Sequence, residues 1–181
     1  MDEPSYRIRL ATGADAGGIA RVLASVVAER RLSAIDRAWP ADEQRTYLLG
    51  LSEREAFHVA ETPGGAIVGY QSLDRYSPIL ASMAHAGQLG TFVLPEWRGR
   101  GVGRALFQAT RLFADTAGYR KLVIFVRAAN TPAQAFYRAL GFAECGRLTR
   151  QVIIDGDEDD EVLMELFLDR PSAGSQPATR P

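Results

Sequence analysis

The stretch Gln88–Asp115, QLGTFVLPEWRGRGVGRALFQATRLFAD, decides the fold because it joins a strand, a glycine-rich turn and a helix. Its apolar run, Leu89–Leu94, is typical of a buried strand and ends at Pro95. An amphipathic helix follows directly after the turn. A glycine turn at a helix N-terminus favours anion binding, because backbone N–H groups and the helix dipole both present positive potential there. The sequence therefore predicts a site for a phosphate-bearing ligand.

The loop that precedes the helix combines glycines with arginines. Glycines let the backbone approach an anion, and arginines donate charge-assisted hydrogen bonds to phosphate oxygens. A P-loop is excluded because no Gly-Lys-Ser/Thr follows, and the G-x-G-x-x-G fingerprint fails because its third glycine is replaced by arginine. The pattern that fits is Arg-x-x-Gly-x-Gly. The loop consists of Arg98, Gly99, Arg100, Gly101, Val102, Gly103 and Arg104.

A second strand and helix lie downstream. Leu122–Val126 is uncharged and rich in β-branched residues, which predicts a buried strand. Asn130 or Thr131 is placed to cap a helix that carries Pro132 in its first turn. Gly141 is placed to end that helix in the left-handed conformation.

Both segments resemble motifs of the GNAT acetyltransferase superfamily. The loop Arg98–Arg104 is similar to the Arg/Gln-x-x-Gly-x-Gly/Ala loop with which the family binds the pyrophosphate of acetyl-coenzyme A. The helix after Leu122–Val126 is similar to the second family motif, N-x-x-A-x-x-x-Y-x-x-x-G-F. The resemblance extends over about residues 5–168. The residues that match the second motif are Asn130, Ala133, Tyr137, Gly141 and Phe142.

The resemblance implies an α/β (α+β) chain with the GNAT fold, in which a mixed, mostly antiparallel central sheet of about seven strands is flanked by about four helices. Hydrophobic periodicity and turn residues predict the same order, β-α-α-β-β-β-α-β-α-β-β. The last two strands, 147–154 and 161–167, are predicted to flank an acidic turn over 155–160. We expect one domain over 1–168 and a disordered tail over 169–181, which is rich in Pro, Ser and Ala.

Composition narrows the classes of function. A chain of 181 residues is long enough for one domain with a substantial core. A net charge of −1 provides no attraction to nucleic acid or to a membrane surface. One cysteine excludes an intrachain disulfide and indicates a reducing compartment. Because no run of membrane-spanning length or signal peptide is recognisable, a cytoplasmic protein is expected.

The resemblance also implies where acetyl-coenzyme A binds. In the family, the sheet opens between the glycine-motif strand and the next strand, and the pantetheine arm lies in this opening. On this chain, backbone groups near Thr91, Phe92 and Val93 would hold the arm, and those of Gly99–Arg104 the pyrophosphate. Asn130 would contact the pantetheine or phosphate side. No metal is expected to take part.

The implied reaction is direct attack of a primary amine on the acetyl thioester. Tyr137 matches the general acid of the family, which protonates the leaving thiolate. A phenol has a pKa of about 10 and a thiol one of about 8.5, so this transfer needs help from position and local field. A backbone N–H near Phe92 is a candidate donor to the developing oxyanion.

The general base is an open question at the level of sequence. Many family members carry a glutamate near the position of Gln88, and glutamine does not accept a proton at neutral pH. His85 is a candidate base because the ordinary pKa of histidine is about 6.5. Glu43 and a chain of water molecules are alternatives, whereas His58 is interpreted as structural.

Three hypotheses about the acceptor and activity stay open. The first is a small-molecule or amino-acid-like amine; the second is a protein N-terminus or lysine. The third is a non-catalytic, regulatory module that binds acyl-coenzyme A. A glutamine at position 88, where many family members carry a glutamate, favours this third hypothesis, whereas the presence of Tyr137 in the position of the general acid argues against it. Trp39 and Trp97 are candidates for a pocket wall, and a homodimer through the last strands is a further hypothesis.

Overall fold

The computed structural model describes residues 6–168, so the predicted tail over 169–181 lies outside the described range. Its elements follow the predicted order β-α-α-β-β-β-α-β-α-β-β. The strands are β1 (Arg7–Leu10), β2 (Ala56–Glu61), β3 (Ile67–Arg75), β4 (Ala86–Val93), β5 (Lys121–Arg127), β6 (Ala143–Ile154) and β7 (Asp157–Phe167). The helices are α1 (Ala16–Ala28), α2 (Ala41–Leu49), α3 (Val102–Thr116) and α4 (Thr131–Ala139).

The strands form one seven-stranded sheet in the order β1-β2-β3-β4-β5-β7-β6. Only the pair β4 and β5 is parallel among the described strands, and the other neighbours are antiparallel. Helix α3 supplies the crossover connection that a parallel pair requires. The predicted mixed, mostly antiparallel sheet with four helices is therefore confirmed.

The helices cover the two faces of the sheet in pairs. On one face, the apolar stripe of α1, including Ile19 and Leu23, packs with Phe57 and Tyr70 from the central strands. On the other face, Phe107 of α3 and Tyr137 of α4 pack in a core with Leu73, Leu89 and Leu122. Because side chains alternate along a strand, each central strand contributes to both cores. In residues 6–168, no helix combines the length and apolar character needed to cross a membrane.

The sheet opens between β4 and β5. Their pairing extends only over Ala86–Gln88, which lie beside Lys121, Leu122 and Val123. Beyond Gln88, β4 stays in register with β3 as far as Val93 but has left β5. The predicted opening is thus present, and one edge of β4 faces it from residue 89 onward.

The predicted acidic turn over 155–160 is wrong in length. Asp155 and Gly156, with φ of 55° and 90°, form a two-residue hairpin turn, and β7 begins at Asp157. An Asp-Gly pair takes up these left-handed angles readily, so the strands continue up to it. Arginines also neutralise the acidic side chains in pairs: Arg30–Asp155, Arg127–Asp159, Arg147–Asp160 and Arg150–Glu158.

The entry to α1 is fixed by a buried carboxylate. Asp15 accepts a hydrogen bond from the backbone N–H of Thr12 at 2.8 Å, as in a capping box, and it accepts hydrogen bonds from both terminal nitrogens of Arg9 at 2.8 and 2.7 Å. Arg9 also donates to Glu61 at the end of β2. The hydrogen bonds from Arg9 lower the pKa of Asp15 to about 2. This network joins β1, β2 and the start of α1.

We predict that Asp15→Asn lowers the free energy of unfolding by about 2 kcal/mol at pH 7, because charge-assisted hydrogen bonds are lost. The native pKa is depressed, so this contribution is present above about pH 4 and disappears as the pH falls through about 2. Urea denaturation at pH 7 and at pH 2.5 measures the difference. Asp157→Asn, at an exposed position, is the control and stays within about 0.5 kcal/mol. An equal difference between Asp15→Asn and wild type at both pH values would contradict the assignment.

Candidate active site

A cavity of about 730 Å³ occupies the opening between β4 and β5. At one end it is lined by the residues of the loop Arg98–Arg104 other than Arg100, and by Asn130 at the start of α4. At the other end it reaches Asp74 and Gln88 on the face that α1 and α2 cover. Tyr137 lines it between these ends. The cavity therefore joins an anion-binding loop to a separate pocket on the opposite face of the sheet.

The backbone of β4 presents alternate residues to this opening. Tyr76 donates its N–H to Ala86 and Leu94 donates its N–H to Val68, so the even-numbered residues of β4 are the ones bonded to β3. By this alternation, the N–H and C=O groups of Leu89, Thr91 and Val93 point toward the opening. The predicted arm-binding role thus suits the backbone of Thr91 and Val93, whereas the backbone of Phe92 points toward β3.

The loop before α3 has the shape of an anion cradle. Gly99 and Gly101 are both left-handed, with φ of 71° and 83°, and Gly101 is the N-cap of α3. Val102 is buried in the core and anchors the first turn. The N–H groups of Val102, Gly103 and Arg104 stand in that first turn, where an α-helix has no internal acceptors for them. A Cβ on Gly101 would lie 3.3 Å from the hydroxyl of Tyr6.

The three loop arginines have different surroundings. Arg98 donates to Glu29 at the end of α1 at 2.8 Å and to the carbonyl of Val93 at 3.0 Å, so it fastens the loop to α1 and to β4. The guanidinium of Arg100 lies 5.6 Å from the ring centre of Trp97. Arg104 is exposed on the first turn of α3. Arg98 consequently has a structural role, linking the loop to α1 and β4. Arg104 is the loop arginine that lies beside the N-terminus of α3.

Tyr137 belongs to a buried chain of hydrogen bonds. Its side chain is 3% exposed, and its hydroxyl donates to Oγ1 of Thr91 at 2.7 Å. Nε2 of Gln71 donates to the same oxygen at 2.6 Å. Thr91 therefore accepts two hydrogen bonds, and its own proton must point to a third group. Burial raises the pKa of Tyr137, so the phenol stays protonated at neutral pH. Sequence analysis did not identify Gln71 as a site residue. The one signal was a polar side chain within a largely apolar strand.

The structure does not bring the candidate base His85 to the cavity. His85 is exposed, precedes β4 and accepts the N–H groups of Arg120 and Lys121 through its carbonyl. It is absent from the cavity lining, because β4 leads away from it toward the opening. The geometry therefore lends no support to a base role for His85. His58 is buried under α3 against Thr110 at 3.0 Å, as its structural interpretation required.

Asp74 is an acidic residue of the cavity that sequence reasoning missed. It stands directly opposite Gln88 in the β3–β4 pairing, so both side chains lie on the same face. The hydroxyl of Tyr47 on α2 donates to Oδ1 of Asp74. Burial raises the pKa of Asp74, against an opposite effect of its hydrogen bonds from Tyr47 and Ser72. Pairing between separate strands is invisible to local sequence patterns, which explains the omission.

Asn130 caps α4, as predicted, and also holds a loop. Its Oδ1 accepts the N–H of Ala133 at 3.1 Å, and its Nδ2 donates to the carbonyl of Leu32 at 2.8 Å. The side chain thus links the start of α4 to the segment that follows α1.

Within residues 6–168, no group of three or more histidine, cysteine, aspartate or glutamate side chains is arranged to hold a metal ion.

The shape of the cavity indicates its class of ligand. A cradle of backbone N–H groups that continues into a strand-lined slot suits a ligand with a phosphate head and a long, amide-bearing arm. That description fits a coenzyme A thioester, and the buried tyrosine hydroxyl in the slot suits protonation of a leaving thiolate. The site accordingly defines an acyl-coenzyme A-dependent transferase.

The chain belongs to the GNAT acetyltransferase family, since the family model described as "Acetyltransferase (GNAT) domain" matches residues 53–144. It is 26% identical to YwnH of Bacillus subtilis (strain 168), provisionally named a phosphinothricin acetyltransferase, over 84% of this chain and 93% of that protein. It is 29% identical to the N-alpha-acetyltransferase RimI of Mycobacterium tuberculosis, over 71% of this chain and 76% of RimI. The predicted family and enzyme class are confirmed.

Solved structures share the fold. A GNAT superfamily phosphinothricin acetyltransferase from Sinorhizobium meliloti, solved in complex with acetyl-coenzyme A, superposes with a TM-score of 0.83 at 22% identity. The match covers 97% of each chain. The two proteins therefore share the same overall fold.

We predict that Asn130→Ala lowers the free energy of unfolding by about 1–2 kcal/mol, because a helix cap is lost. Asn130→Ser retains a capping oxygen but is too short to reach Leu32, so it separates the two functions of the side chain. Chemical denaturation should place the serine variant between wild type and the alanine variant. Equal stability of wild type and Asn130→Ala would contradict the assigned cap.

Proposed function

We propose that this chain moves the acetyl group of acetyl-coenzyme A to the primary amine of a small molecule by direct attack on the thioester. The observation that carries the proposal is the position of the Tyr137 hydroxyl in the wall of the β4–β5 opening, bonded to Thr91. The names of YwnH and of the Sinorhizobium meliloti structure refer to acetylation of a small molecule, which supports this class of acceptor. The acetyl-coenzyme A in the latter structure supports the donor.

The cofactor is proposed to span the loop and the opening. The pyrophosphate would accept hydrogen bonds from the N–H groups over Gly99–Arg104, with the positive end of α3 behind them. The pantetheine amides would pair with the outward groups of Thr91 and Val93, the latter after Arg98 releases its carbonyl. Asn130 would border the arm from the start of α4.

Gly101→Ala tests the pyrophosphate site. We predict a loss of affinity for acetyl-coenzyme A of at least about tenfold, because an alanine at φ 83° is strained and forces the first turn of α3 to shift. Gly118→Ala is the matched control, since Gly118 is left-handed too, with φ 78°, and ends the same helix. Both variants should lose similar stability in thermal unfolding, and only Gly101→Ala should lose affinity in calorimetric titration. Equal affinities would relocate the phosphate site.

The proposed chemistry assigns the acid role to Tyr137. The acceptor ammonium first loses a proton to solvent water, and the neutral amine nitrogen then bonds to the acetyl carbon. The carbon–sulfur bond breaks, and the departing sulfur takes the phenolic proton of Tyr137. The second proton that the nitrogen loses passes through water and restores the phenol. The raised pKa of Tyr137 keeps that proton available up to alkaline pH. The thiolate forms in the same buried surroundings, where the pKa of the thiol is raised as well, so burial acts on the donor and on the acceptor of the proton in the same direction. The N–H of Thr91, which faces the opening, is placed to stabilise the oxyanion.

Tyr137→Phe tests this assignment. We predict that kcat falls about a hundredfold or more, the usual effect of losing a general acid, while the affinity for acetyl-coenzyme A stays within about twofold because no cofactor-binding group is removed. Thiol release with a reactive amine measures kcat between pH 7 and 9, and calorimetry measures affinity. Tyr119→Phe is the control, because Tyr119 is buried in the same core outside the cavity lining. Unchanged turnover of Tyr137→Phe over this pH range would refute the acid role.

The proposal includes three broader expectations. The chain acts as one domain over residues 1–168, in the cytoplasm, where its single cysteine suits a reducing environment. A homodimer is supported by the position of β6 at an edge of the sheet, with Leu148 and Ile153 exposed. Neither a nucleic acid nor a membrane is part of the proposed activity.

A further inference from the structure

The acceptor end of the cavity is walled by a continuous series of aromatic rings. The ring of Tyr47 lies 6.2 Å from Trp39 and 6.1 Å from Phe57, measured between ring centres. Tyr70 lies 4.8 Å from Phe57 and 4.9 Å from Phe92. All five side chains line the cavity on the face covered by α1 and α2. Such a wall accommodates an apolar or aromatic body and attracts a cation to the ring faces.

Two polar side chains at this end have capacity to accept further hydrogen bonds. The carboxylate of Asp74 accepts hydrogen bonds from the hydroxyl groups of Tyr47 and Ser72, and a carboxylate has capacity for further donors. The Oε1 atom of Gln44, a residue 1% exposed on α2, has no hydrogen-bond partner among the described residues although Gln44 borders the cavity. A bound group with several N–H donors would satisfy both.

Cations at the cavity are committed elsewhere. Among the described lining residues the positively charged ones are three arginines, and no lysine or histidine occurs. Arg98 is paired with Glu29, and Arg104 stands at the start of α3, at the phosphate end. Arg127, with a side chain only 8% exposed, is paired with Asp159 and donates to two backbone carbonyls. At the acceptor end, therefore, no arginine of the cavity lining is free to pair with an anionic group of the acceptor.

We infer that the acceptor is a primary amine on an apolar or aromatic body without an acidic group, and that Asp74 binds its ammonium group beside the aromatic wall. This inference rests on the proposed function and makes its acceptor specific. It separates this chain from an enzyme for phosphinothricin, an amino acid with a carboxylate and a phosphinate, because two anionic groups would meet Asp74 without a cation to balance them. Glu161, which borders the cavity from β7 beside Arg127, is the rival acid.

A matched pair of acceptors tests the inference. 2-Phenylethylamine and L-phenylalanine share the ring and the amine and differ by one carboxylate, and phosphinothricin is the third probe. With saturating acetyl-coenzyme A and wild-type enzyme, we expect kcat/KM for 2-phenylethylamine to exceed that of the other two by at least about tenfold, the size of effect of an uncompensated charge near a carboxylate. Preference for L-phenylalanine or phosphinothricin would overturn the inference.

Variants then locate the ammonium site. Asp74→Asn should raise the KM for 2-phenylethylamine by about tenfold to a hundredfold, because a charge-assisted hydrogen bond is lost. Glu161→Gln is the matched control and should change KM by less than about threefold. Tyr47→Phe keeps the ring and the carboxylate and removes only the hydrogen bond to Asp74, so a smaller rise in KM is expected even if Asp74→Asn folds poorly. A large effect of Glu161→Gln, together with an unchanged KM in Asp74→Asn and Tyr47→Phe, would overturn the assignment.

Failure of the inference can be told apart from failure of the proposed function. Calorimetry with acetyl-coenzyme A is carried out on the same wild-type protein. The acceptor assignment alone is overturned if the protein binds acetyl-coenzyme A but does not turn over 2-phenylethylamine. The same holds if it turns over only L-phenylalanine or phosphinothricin. An absence of acetyl-coenzyme A binding by folded protein overturns the proposed function, and the acceptor assignment falls with it.

Discussion

The loss of pairing between β4 and β5 after Gln88 is the constraint on which the rest of the site depends. Two parallel strands that stayed together would fill the centre of the sheet with hydrogen bonds and leave no slot. Because they part, the outward backbone groups of Leu89, Thr91 and Val93 have no strand neighbour on that side. The same parting places Tyr137 of α4 within reach of Thr91, through the gap that β5 has left.

The opening also connects the two faces of the sheet. The glycine loop and Tyr137 belong to the side of α3 and α4, whereas Asp74 and the aromatic wall belong to the side of α1 and α2. Two reactants can therefore approach from opposite faces and meet in the gap. This arrangement suits direct transfer, because neither reactant has to leave before the other enters, and it needs no nucleophile of the protein to carry the acetyl group.

Local patterns in the sequence predicted the elements well and the long-range contacts poorly. Glycines and prolines mark helix ends within a few residues of sequence, which is why the start of α3, the limits of α4 and the capping role of Asn130 were predictable. The ion pair between Arg98 and Glu29 joins residues far apart in the chain and was not predictable from local patterns. His85 lies outside the cavity lining because three residues of strand, from Gln88 back to His85, span about 10 Å in the direction away from the opening.

The segment that follows α1 has several independent anchors. The carbonyl of Leu32 accepts Asn130, the carbonyl of Ser33 accepts Arg127, and Arg98 holds Glu29 just before it. These anchors come from the cofactor side, whereas Gln44 and Tyr47 of the acceptor end lie on α2, and Tyr70 and Asp74 lie on β3. Substitutions in α2 and β3 can therefore alter which acceptor is admitted without loosening the frame that holds the donor. The residues that hold the donor and those that surround the acceptor thus lie largely on different elements, so the acceptor preference can change while the site for the acetyl donor stays in place.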